Sequence, residues 1–294
     1  MLALPRHCRY PRPLRVKVAR TIAAVRRLRR AAHAPVVLVP TMGALHAGHA
    51  ALIDRARKLA GVNGLVVVSI FVNPTQFGPT EDLSRYPRPF TADRRLCLAH
   101  GADLVFHPDA AEIYPEHFST FVAETDVSAT LCGASRPGHF RGVCTVVLKL
   151  LTILQPDLAV FGQKDFQQCA VIRRMVRDLN LPVRIVAVAT VRAGDGLALS
   201  SRNTYLTPEE RAHAPVIREA LLEAQKARRA GEKDAARLRQ IVARKIGRIP
   251  LARVDYIAVV DADSIQPVRE TLRRSAIAVA VFFGKTRLID NILL

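Results

Sequence analysis

The stretch VVLVPTMGALHAGH, residues 36–49, decides the fold of this chain. It opens with a short apolar run that a proline ends, which is typical of a buried strand. A turn containing glycine follows and leads into a helical pattern, in which Leu52, Ile53 and Leu59 are expected to face inward. A buried strand that turns directly into a helix predicts the first half of a βαβ unit.

Similar units follow towards the C-terminus. Apolar runs predict further strands at residues 65–72, 103–108, 157–162 and 183–191, and amphipathic patterns between most of them predict helices. This alternation predicts a doubly wound (Rossmann-like) α/β fold, with a parallel sheet covered on both faces. Right-handed crossovers then place the carboxyl ends of all strands at one edge, where such folds bind ligands.

The pattern changes in the last third of the chain. Two basic helical patterns, at residues 208–230 and 233–246, precede closely spaced apolar strands, which predicts a second, smaller α+β domain. We therefore expect a Rossmann-like domain over residues 1–190 and the smaller domain over residues 191–294. Residues 1–17 are rich in proline and arginine without periodicity, and we expect them to form a loose extension.

The chain is strongly basic, with 44 Lys and Arg against 25 Asp and Glu and a formal net charge of +19. Such an excess raises nucleic-acid binding as a hypothesis. Much of the charge, however, lies in the stretch at residues 6–30 and in helical patterns after Arg218. Aromatic residues are few and Trp is absent, so a platform for stacking bases is hard to build. The charge therefore favours an enzyme that handles anions, with nucleic-acid binding as the weaker alternative.

The cysteines and the apolar runs indicate the compartment. The five cysteines are scattered without a C-x-x-C pair, which is typical of reduced thiols and of neither a disulfide framework nor a zinc site: Cys8, Cys97, Cys132, Cys144 and Cys169. Cys144 and Cys169 lie in apolar helical patterns and are expected to be buried. Apolar stretches long enough for a membrane helix and a secretory signal are both absent. We therefore expect a soluble, cytoplasmic protein.

His46 and His49 are the most informative polar residues of the opening stretch. They lie where a strand meets a helix, a junction that presents backbone N–H groups and the positive end of the helix dipole to phosphate. Three residues apart, they share a helix face and can neutralise and hydrogen-bond the charge that develops on a triphosphate as pyrophosphate leaves. Gly48 between them allows a close approach to the backbone. Surface or capping histidines remain the alternative, and a zinc site is disfavoured because H-x-x-H lacks the glutamate of H-E-x-x-H.

Two further polar segments follow predicted strands or glycine-rich turns. In Gly162-Gln163-Lys164-Asp165, Lys164 can meet phosphate and Asp165 can accept hydrogen bonds from ribose hydroxyls. In Ser200-Ser201-Arg202, two hydroxyls and a guanidinium can clamp phosphates. A turn with a capping aspartate, which is common, is the alternative for the first segment. Taken alone, the second segment is better interpreted as a polar loop.

The motifs in these segments resemble a known family. H-x-G-H after a first strand is the signature of a superfamily of adenylylating and nucleotidylyl-transferring enzymes that includes the class I aminoacyl-tRNA synthetases. PTMGALHAGH is narrower and resembles the pantothenate synthetase family. Further segments agree with that family in matching order, namely SIFVNPTQF (69–77), HFRGVCTVV (139–147), PDLAVFGQKDFQQ (156–168), GLALSSRNTYL (196–206), VDYIAVVD and TRLIDN.

The resemblance implies a function and a set of site residues. It implies an ATP-dependent ligase that condenses pantoate with β-alanine through pantoyl adenylate, releasing AMP, pyrophosphate and pantothenate. Gln76 and Gln168 would hold pantoate, with Gln76 also near β-alanine, and His49 would donate a proton with His46, Lys164 and Arg202 as further catalytic residues. The implied ATP-binding residues are Met42, Gly43, Ala44, Leu45, His46, Ala47, Gly48, His49, Gly162, Gln163, Lys164, Asp165, Val191, Leu199, Ser200, Ser201 and Arg202.

The resemblance also implies Mg²⁺ with ATP, a homodimer, and a second domain that closes over the site. Asp82 and Asp93 are candidates for holding Mg²⁺ with the phosphates, without a choice between them. One departure is visible, since the family usually has Glu where this chain has Gln163. A nucleotidylyltransferase that stops after transferring AMP is the rival, but its phosphate-bearing substrate would call for Arg or Lys in place of Gln76 and Gln168.

Overall fold

The computed structural model describes residues 15–32, 35–79, 81–271 and 274–294. In these residues the chain forms two sheets and the helices that cover them. The elements are β1 (Lys17–Ala19), α1 (Ile22–Arg30), β2 (Val36–Thr41), α2 (Ala47–Ala60), β3 (Leu65–Ile70), α3 (Phe90–Ala99), β4 (Leu104–Phe106), α4 (Ala110–Ile113), α5 (Cys132–Ser135), α6 (His139–Leu154), β5 (Leu158–Gly162), α7 (Phe166–Asp178), β6 (Arg184–Val188), α8 (Pro208–His213), α9 (Val216–Arg229), α10 (Ala235–Ile246), β7 (Ala252–Asp261), β8 (Ser275–Phe283) and β9 (Thr286–Leu293).

The first sheet has six parallel strands in the order β1-β4-β3-β2-β5-β6. The chain runs outward from β2 through β3 to β4 and then returns to add β5 and β6 on the other side of β2. This reversal places a topological switch point between β2 and β5, where doubly wound sheets bind ligands. The prediction of a doubly wound parallel sheet is confirmed.

Continuous apolar strands are buried on both faces of this sheet. In β2, Val36 and Leu38 pack on the face that α1, α6 and α7 cover, whereas Val37 and Val39 pack on the face that α2 and α3 cover. All four are fully buried. Because side chains of a strand alternate between its faces, a run without polar residues requires a cover on each side.

The second sheet is antiparallel, in the order β7-β8-β9, and α9 and α10 pack against it. This confirms a second, smaller α+β unit, although the boundary at residues 190 and 191 stays a prediction. One helix predicted at residues 208–230 is in fact two, since α8 ends at His213 and α9 begins after Pro215. Proline lacks the N–H that a continuous helix would use there.

The predicted loose extension is partly wrong. Residues 1–14 lie outside the described residues, but Val16 is 2% exposed and Lys17 begins β1, which pairs in parallel with β4. The predicted burial of Cys144 and Cys169 is confirmed. Among the described residues, the structure contains no helix long and apolar enough to cross a membrane.

Candidate active site

A cleft of about 940 Å³ opens at the carboxyl ends of the parallel strands. Thr41 at the end of β2 and Gly162 at the end of β5 lie in its wall, so the cleft sits at the switch point of the sheet. The opposite wall comes from the antiparallel sheet, including Tyr256 of β7 and Asn291 of β9. Both sheets therefore contribute to one site.

The structure brings most of the predicted site residues together in this cleft. All four predicted catalytic residues and both glutamines line it, and the lining predicted residues are Met42, His46, Gly48, His49, Gln76, Gly162, Lys164, Asp165, Gln168, Val191, Leu199, Ser200, Ser201 and Arg202. Five predicted ATP residues lie outside the wall that the described residues form, namely Gly43, Ala44, Leu45, Ala47 and Gln163. Whether any of these residues binds ATP stays a prediction.

His46 and His49 fix each other at the start of α2. The Nδ1 atom of His46 accepts a hydrogen bond from the Gly48 N–H at 3.1 Å, and Nδ1 of His49 accepts from the His46 N–H at 3.2 Å. Because both Nδ1 atoms accept, each neutral imidazole carries its proton on Nε2. Within the described residues neither Nε2 has a partner, so the capping pair also offers two N–H donors. A Cβ on Gly48 would lie 2.7 Å from Cε1 of His46, so a larger residue there would force the His46 ring to move.

Both imidazoles are neutral at pH 7. Burial, together with the charge of Lys164, lowers the pKa of His46 from 6.5 to about 4. Burial, followed by the charges of His46 and Lys164, lowers the pKa of His49 to about 3. In the free protein the pair can therefore donate hydrogen bonds to an anion but cannot neutralise it with positive charge.

The carboxylate of Asp93 anchors the backbone segment that precedes α2. Asp93 is 1% exposed and accepts hydrogen bonds from the N–H groups of Ala44 at 3.0 Å and Leu45 at 2.8 Å. Burial, which outweighs these hydrogen bonds, raises the pKa of Asp93. With the His46 and Gly48 amides also engaged, the prediction of free backbone N–H groups at this junction is wrong for these four amides.

The turn after β5 presents Lys164 and Asp165 to the cleft. The ammonium Nζ of Lys164 lies 3.3 Å from Oδ1 of Asp165. Burial acts to raise the pKa of Asp165, but the charges of Lys164 and Arg202 outweigh it and lower that pKa. Asp165 is therefore an ionised acceptor beside a cation, as hydrogen bonding to ribose hydroxyls requires.

The departure at Gln163 leaves the contacts of this turn intact. Its backbone N–H donates to the carbonyl of Val188 at 2.8 Å, and its carbonyl accepts from Asn291 Nδ2 at 2.9 Å. Its side chain makes no hydrogen bond within the described residues. A glutamate at this position would use the same backbone contacts, so the amide in place of a carboxylate does not alter the turn.

The segment that begins at Ser200 contacts two other residues of the cleft wall, Asp82 and Tyr86. Arg202 donates two hydrogen bonds to the carboxylate of Asp82, at 2.8 and 3.0 Å, and Ser201 Oγ lies 3.2 Å from the Tyr86 hydroxyl. Burial acts to raise the pKa of Asp82, but the hydrogen bond and charge of Arg202 outweigh it and lower that pKa. The guanidinium is thus already oriented by a carboxylate that phosphate would have to compete with.

Gln76 is positioned by a buried asparagine that the sequence analysis did not single out. Asn73 is 1% exposed and donates to Oε1 of Gln76 at 3.0 Å and to the carbonyl of Gly142 at 3.1 Å, while its Oδ1 accepts from the Tyr114 hydroxyl at 2.7 Å. A Cβ on Gly142 would lie 2.3 Å from the Thr75 carbonyl oxygen. Helix α6 therefore packs directly against the turn that carries Gln76.

A second network lies next to Gln76 and is formed by Arg136, His139 and Glu81. The sequence patterns did not indicate these three residues either. Arg136 donates to both carboxylate oxygens of Glu81, at 2.6 and 2.7 Å, and to Nε2 of His139 at 3.0 Å. His139 then donates from Nδ1 to the Gln76 carbonyl at 2.9 Å. Burial and the Arg136 charge lower the pKa of His139 to about 4. Because Glu81 balances the charge of Arg136, this network adds little net charge next to Gln76.

The carboxylates of the cleft do not form a metal cage. Among the described residues there is no group of three His, Cys, Asp or Glu side chains that could hold a metal ion. The two candidates for Mg²⁺ are both engaged, Asp82 by Arg202 and Asp93 by backbone amides. A divalent cation would need to bring most of its oxygen ligands with it.

Comparison with known proteins agrees with this geometry. The sequence profile of the pantoate-beta-alanine ligase family matches residues 17–293. The pantothenate synthetase of Akkermansia muciniphila is 55% identical over 260 residues, which cover 88% of this chain and 92% of that protein. That of Moorella thermoacetica is 51% identical over 282 residues, covering 95% and 99%.

Solved structures show the same similarity. The pantothenate synthetase of Thermus thermophilus matches with a TM-score of 0.89 and 46% identity, over 94% of this chain and 99% of that one. The pantoate-beta-alanine ligase of Francisella tularensis, complexed with β-γ ATP and β-alanine, matches with a TM-score of 0.77 and 34% identity, over 95% and 97%. The chain therefore belongs to the pantoate–β-alanine ligase family and is an ATP-dependent ligase that forms pantothenate.

Proposed function

We propose that the chain joins its substrates in two steps within the one cleft. The carboxylate of pantoate attacks the α-phosphorus of MgATP, giving pantoyl adenylate and pyrophosphate. The amine of β-alanine then attacks the acyl carbon, releasing AMP and pantothenate. The observation that carries this proposal is the lining of the cleft: His46, His49, Lys164 and Arg202 supply cations and N–H donors, and Gln76 and Gln168 supply neutral amides. We assign the first group to one end of the cleft and the second group to the other. Such a site acts by holding reactants together and by stabilising the charge that leaves.

The phosphates of ATP belong at the first end. The Nε2–H groups of His46 and His49 would donate to phosphate oxygens, and Lys164 would supply a mobile positive charge. Ser200, Ser201 and Arg202 would close around the phosphates from the second domain, with Arg202 exchanging Asp82 for phosphate. As negative charge builds up on the departing pyrophosphate, the hydrogen bond that the neutral His49 donates to it from Nε2–H would become stronger.

The acid belongs at the second end. Gln76 and Gln168 both line the cleft, and an amide can donate to a carboxylate and accept from a hydroxyl without adding charge. Gln76 would also lie near the amine of β-alanine. This end disfavours a nucleotidylyltransferase, because Arg136, which is linked to Gln76 through His139, donates to Glu81 from two of its nitrogens and to His139 from the third.

Mg²⁺ enters this proposal as part of MgATP. Asp82 is engaged with Arg202, and Asp93 is engaged with backbone amides. Most of the coordination positions of the ion would therefore be filled by phosphate oxygens and water. The ion would spread the negative charge of the phosphates. The residues of the chain would then bind and orient the MgATP complex as one substrate.

The arrangement of the two sheets supports a lid. We propose that residues 191–294 form the second domain and move towards the first, which would exclude water from the reactive adenylate. Family membership further supports a homodimer acting in the cytoplasm. Sedimentation of the purified chain at several concentrations tests the dimer directly.

Release of pyrophosphate tests the two-step reaction. With ATP and pantoate alone, the enzyme should release about one pyrophosphate per active site and then stop, because the adenylate stays bound. Adding β-alanine should start continuous release, with one AMP and one pantothenate for each pyrophosphate. Continuous release without β-alanine would favour a nucleotidylyltransferase, and stoichiometric ADP would contradict the proposal.

A further inference from the structure

The motif TRLIDN, residues 286–291, has a position that the proposed chemistry does not explain. It forms most of β9, in the antiparallel sheet, yet three of its side chains contact segments outside that sheet. Arg287 lies 3.6 Å from the sulfur of Cys132, and Asp290 accepts two hydrogen bonds from Arg192 at 2.6 and 2.9 Å. Asn291 contacts the turn after β5. Strand β9 thus holds three segments that surround the cleft.

The contact of Asn291 is the one nearest to the proposed phosphate end. Its side chain is buried, with the residue 6% exposed, and its Nδ2 donates to the carbonyl of Gln163 at 2.9 Å and to that of Lys164 at 3.0 Å. Only an amide nitrogen with two N–H groups can serve two carbonyls in this way without adding charge. Both hydrogen bonds to this turn therefore depend on an amide side chain at position 291.

These two carbonyls have a particular relation to Lys164. The carbonyl of Gln163 belongs to the peptide plane before the Lys164 Cα, and the carbonyl of Lys164 belongs to the plane after it. Because a peptide unit is rigid, fixing both planes fixes the two backbone torsions of Lys164 and hence the direction of its Cα–Cβ bond. One side chain of the second sheet thus determines where the lysine of the first can reach.

We propose that Asn291 is a positioning residue for the reaction, acting through Lys164 on the phosphates of ATP. This inference rests on the role proposed above for Lys164. It assigns to β9 a task beyond joining the two sheets, since the turn that meets ATP is set by a residue about 127 positions further along the chain. A residue that only braced the two sheets would change the melting temperature and leave the kinetic constants of the folded enzyme unchanged.

Kinetics of variants of the full chain separate these roles. Asn291→Ala removes both donors, and Asn291→Ser is a milder variant that keeps one hydroxyl donor. Each should lower kcat/KM for ATP, about ten- to a hundredfold for the alanine, as expected when a catalytic group is misplaced. The KM for pantoate should change less than about threefold. Gln225→Ala is the matched control, because this amide also donates to a carbonyl, that of Leu293 at 2.7 Å, but lies outside the cleft wall.

A double-mutant cycle with Lys164→Ala completes the test. If Asn291 acts through Lys164, Asn291→Ala should cost less than about twofold once the lysine is gone. Unchanged constants in the folded Asn291 variants would overturn the inference, as would an equal loss with and without Lys164. Full activity of Lys164→Ala alone would instead refute the proposed role of that lysine, and the inference would fall with it. Thermal melts of every variant confirm that the comparison is between folded proteins.

Discussion

Replacing His49 in two different ways separates its structural role from its chemical one. Its Nδ1 accepts the His46 N–H at 3.2 Å, whereas its Nε2–H is free to donate into the cleft. Asparagine places a polar atom near the position of Nδ1, and glutamine places its amide nitrogen near the position of Nε2. We therefore expect His49→Asn to keep the start of α2 but lose the donor. Its kcat should fall about a hundredfold, which corresponds to about 2.7 kcal/mol of lost transition-state stabilisation. His49→Gln should recover part of that loss.

The same reasoning predicts the pH dependence. With a pKa of about 3, His49 is charged in about one molecule in ten thousand at pH 7. The value of kcat/KM for ATP reports the ionisation of the free enzyme and of free ATP. Dividing the wild-type value by that of His49→Asn cancels the titration of ATP. This ratio should stay constant between about pH 6 and 8. A ratio that changes tenfold around pH 6.5, or near-normal turnover in His49→Asn, would refute a role for the neutral imidazole.

Three further predictions follow from other contacts. First, the pKa of His139 in the folded protein is about 4, so below pH 6.5 the folded protein binds fewer protons than the unfolded chain. The free energy of unfolding should therefore fall as the pH drops from 6.5 towards 4. In urea titrations, His139→Asn should make this free energy depend less steeply on pH. Second, Arg57 is 4% exposed and bonds three carbonyls and Asp103, so Arg57→Met should cost about 3–5 kcal/mol of stability, and unchanged urea midpoints would contradict this. Third, Gln76→Ala and Gln168→Ala should weaken pantoate about five- to a hundredfold and ATP much less; equal losses for both ligands would mean that the amides shape the cleft without reading the acid.

The fold could be predicted largely from apolar patterns, because burial on both faces leaves a strand no place for polar residues. Strands β2, β3 and β5 could be predicted from the sequence for this reason. Strand β1 could not be predicted, since three residues at the edge of a sheet carry no period and gain their structure from pairing with β4. The break before α9 depends on Pro215, whose effect a helical period alone does not show.

The site could be predicted by residue type but not by contact. Histidine, lysine and glutamine after predicted strands indicate phosphate and acid binding, and the resemblance sharpened these roles. No pattern in one chain, however, connects Asp93 with the amides of Ala44 and Leu45, or Asn291 with the turn at Lys164. Such contacts arise only when segments far apart in the chain are packed together, so they appear first in the folded structure.

The fate of a pantoate oxygen tests the proposed reaction most directly. Pantoate labelled with ¹⁸O in its carboxylate would be converted with ATP and β-alanine, and the products would be analysed by mass spectrometry. Attack of the carboxylate on the α-phosphorus predicts one ¹⁸O in each AMP and none in pyrophosphate. Unlabelled AMP, or label in inorganic phosphate formed together with ADP, would contradict the pantoyl adenylate and with it the assignment of the phosphate end of the cleft.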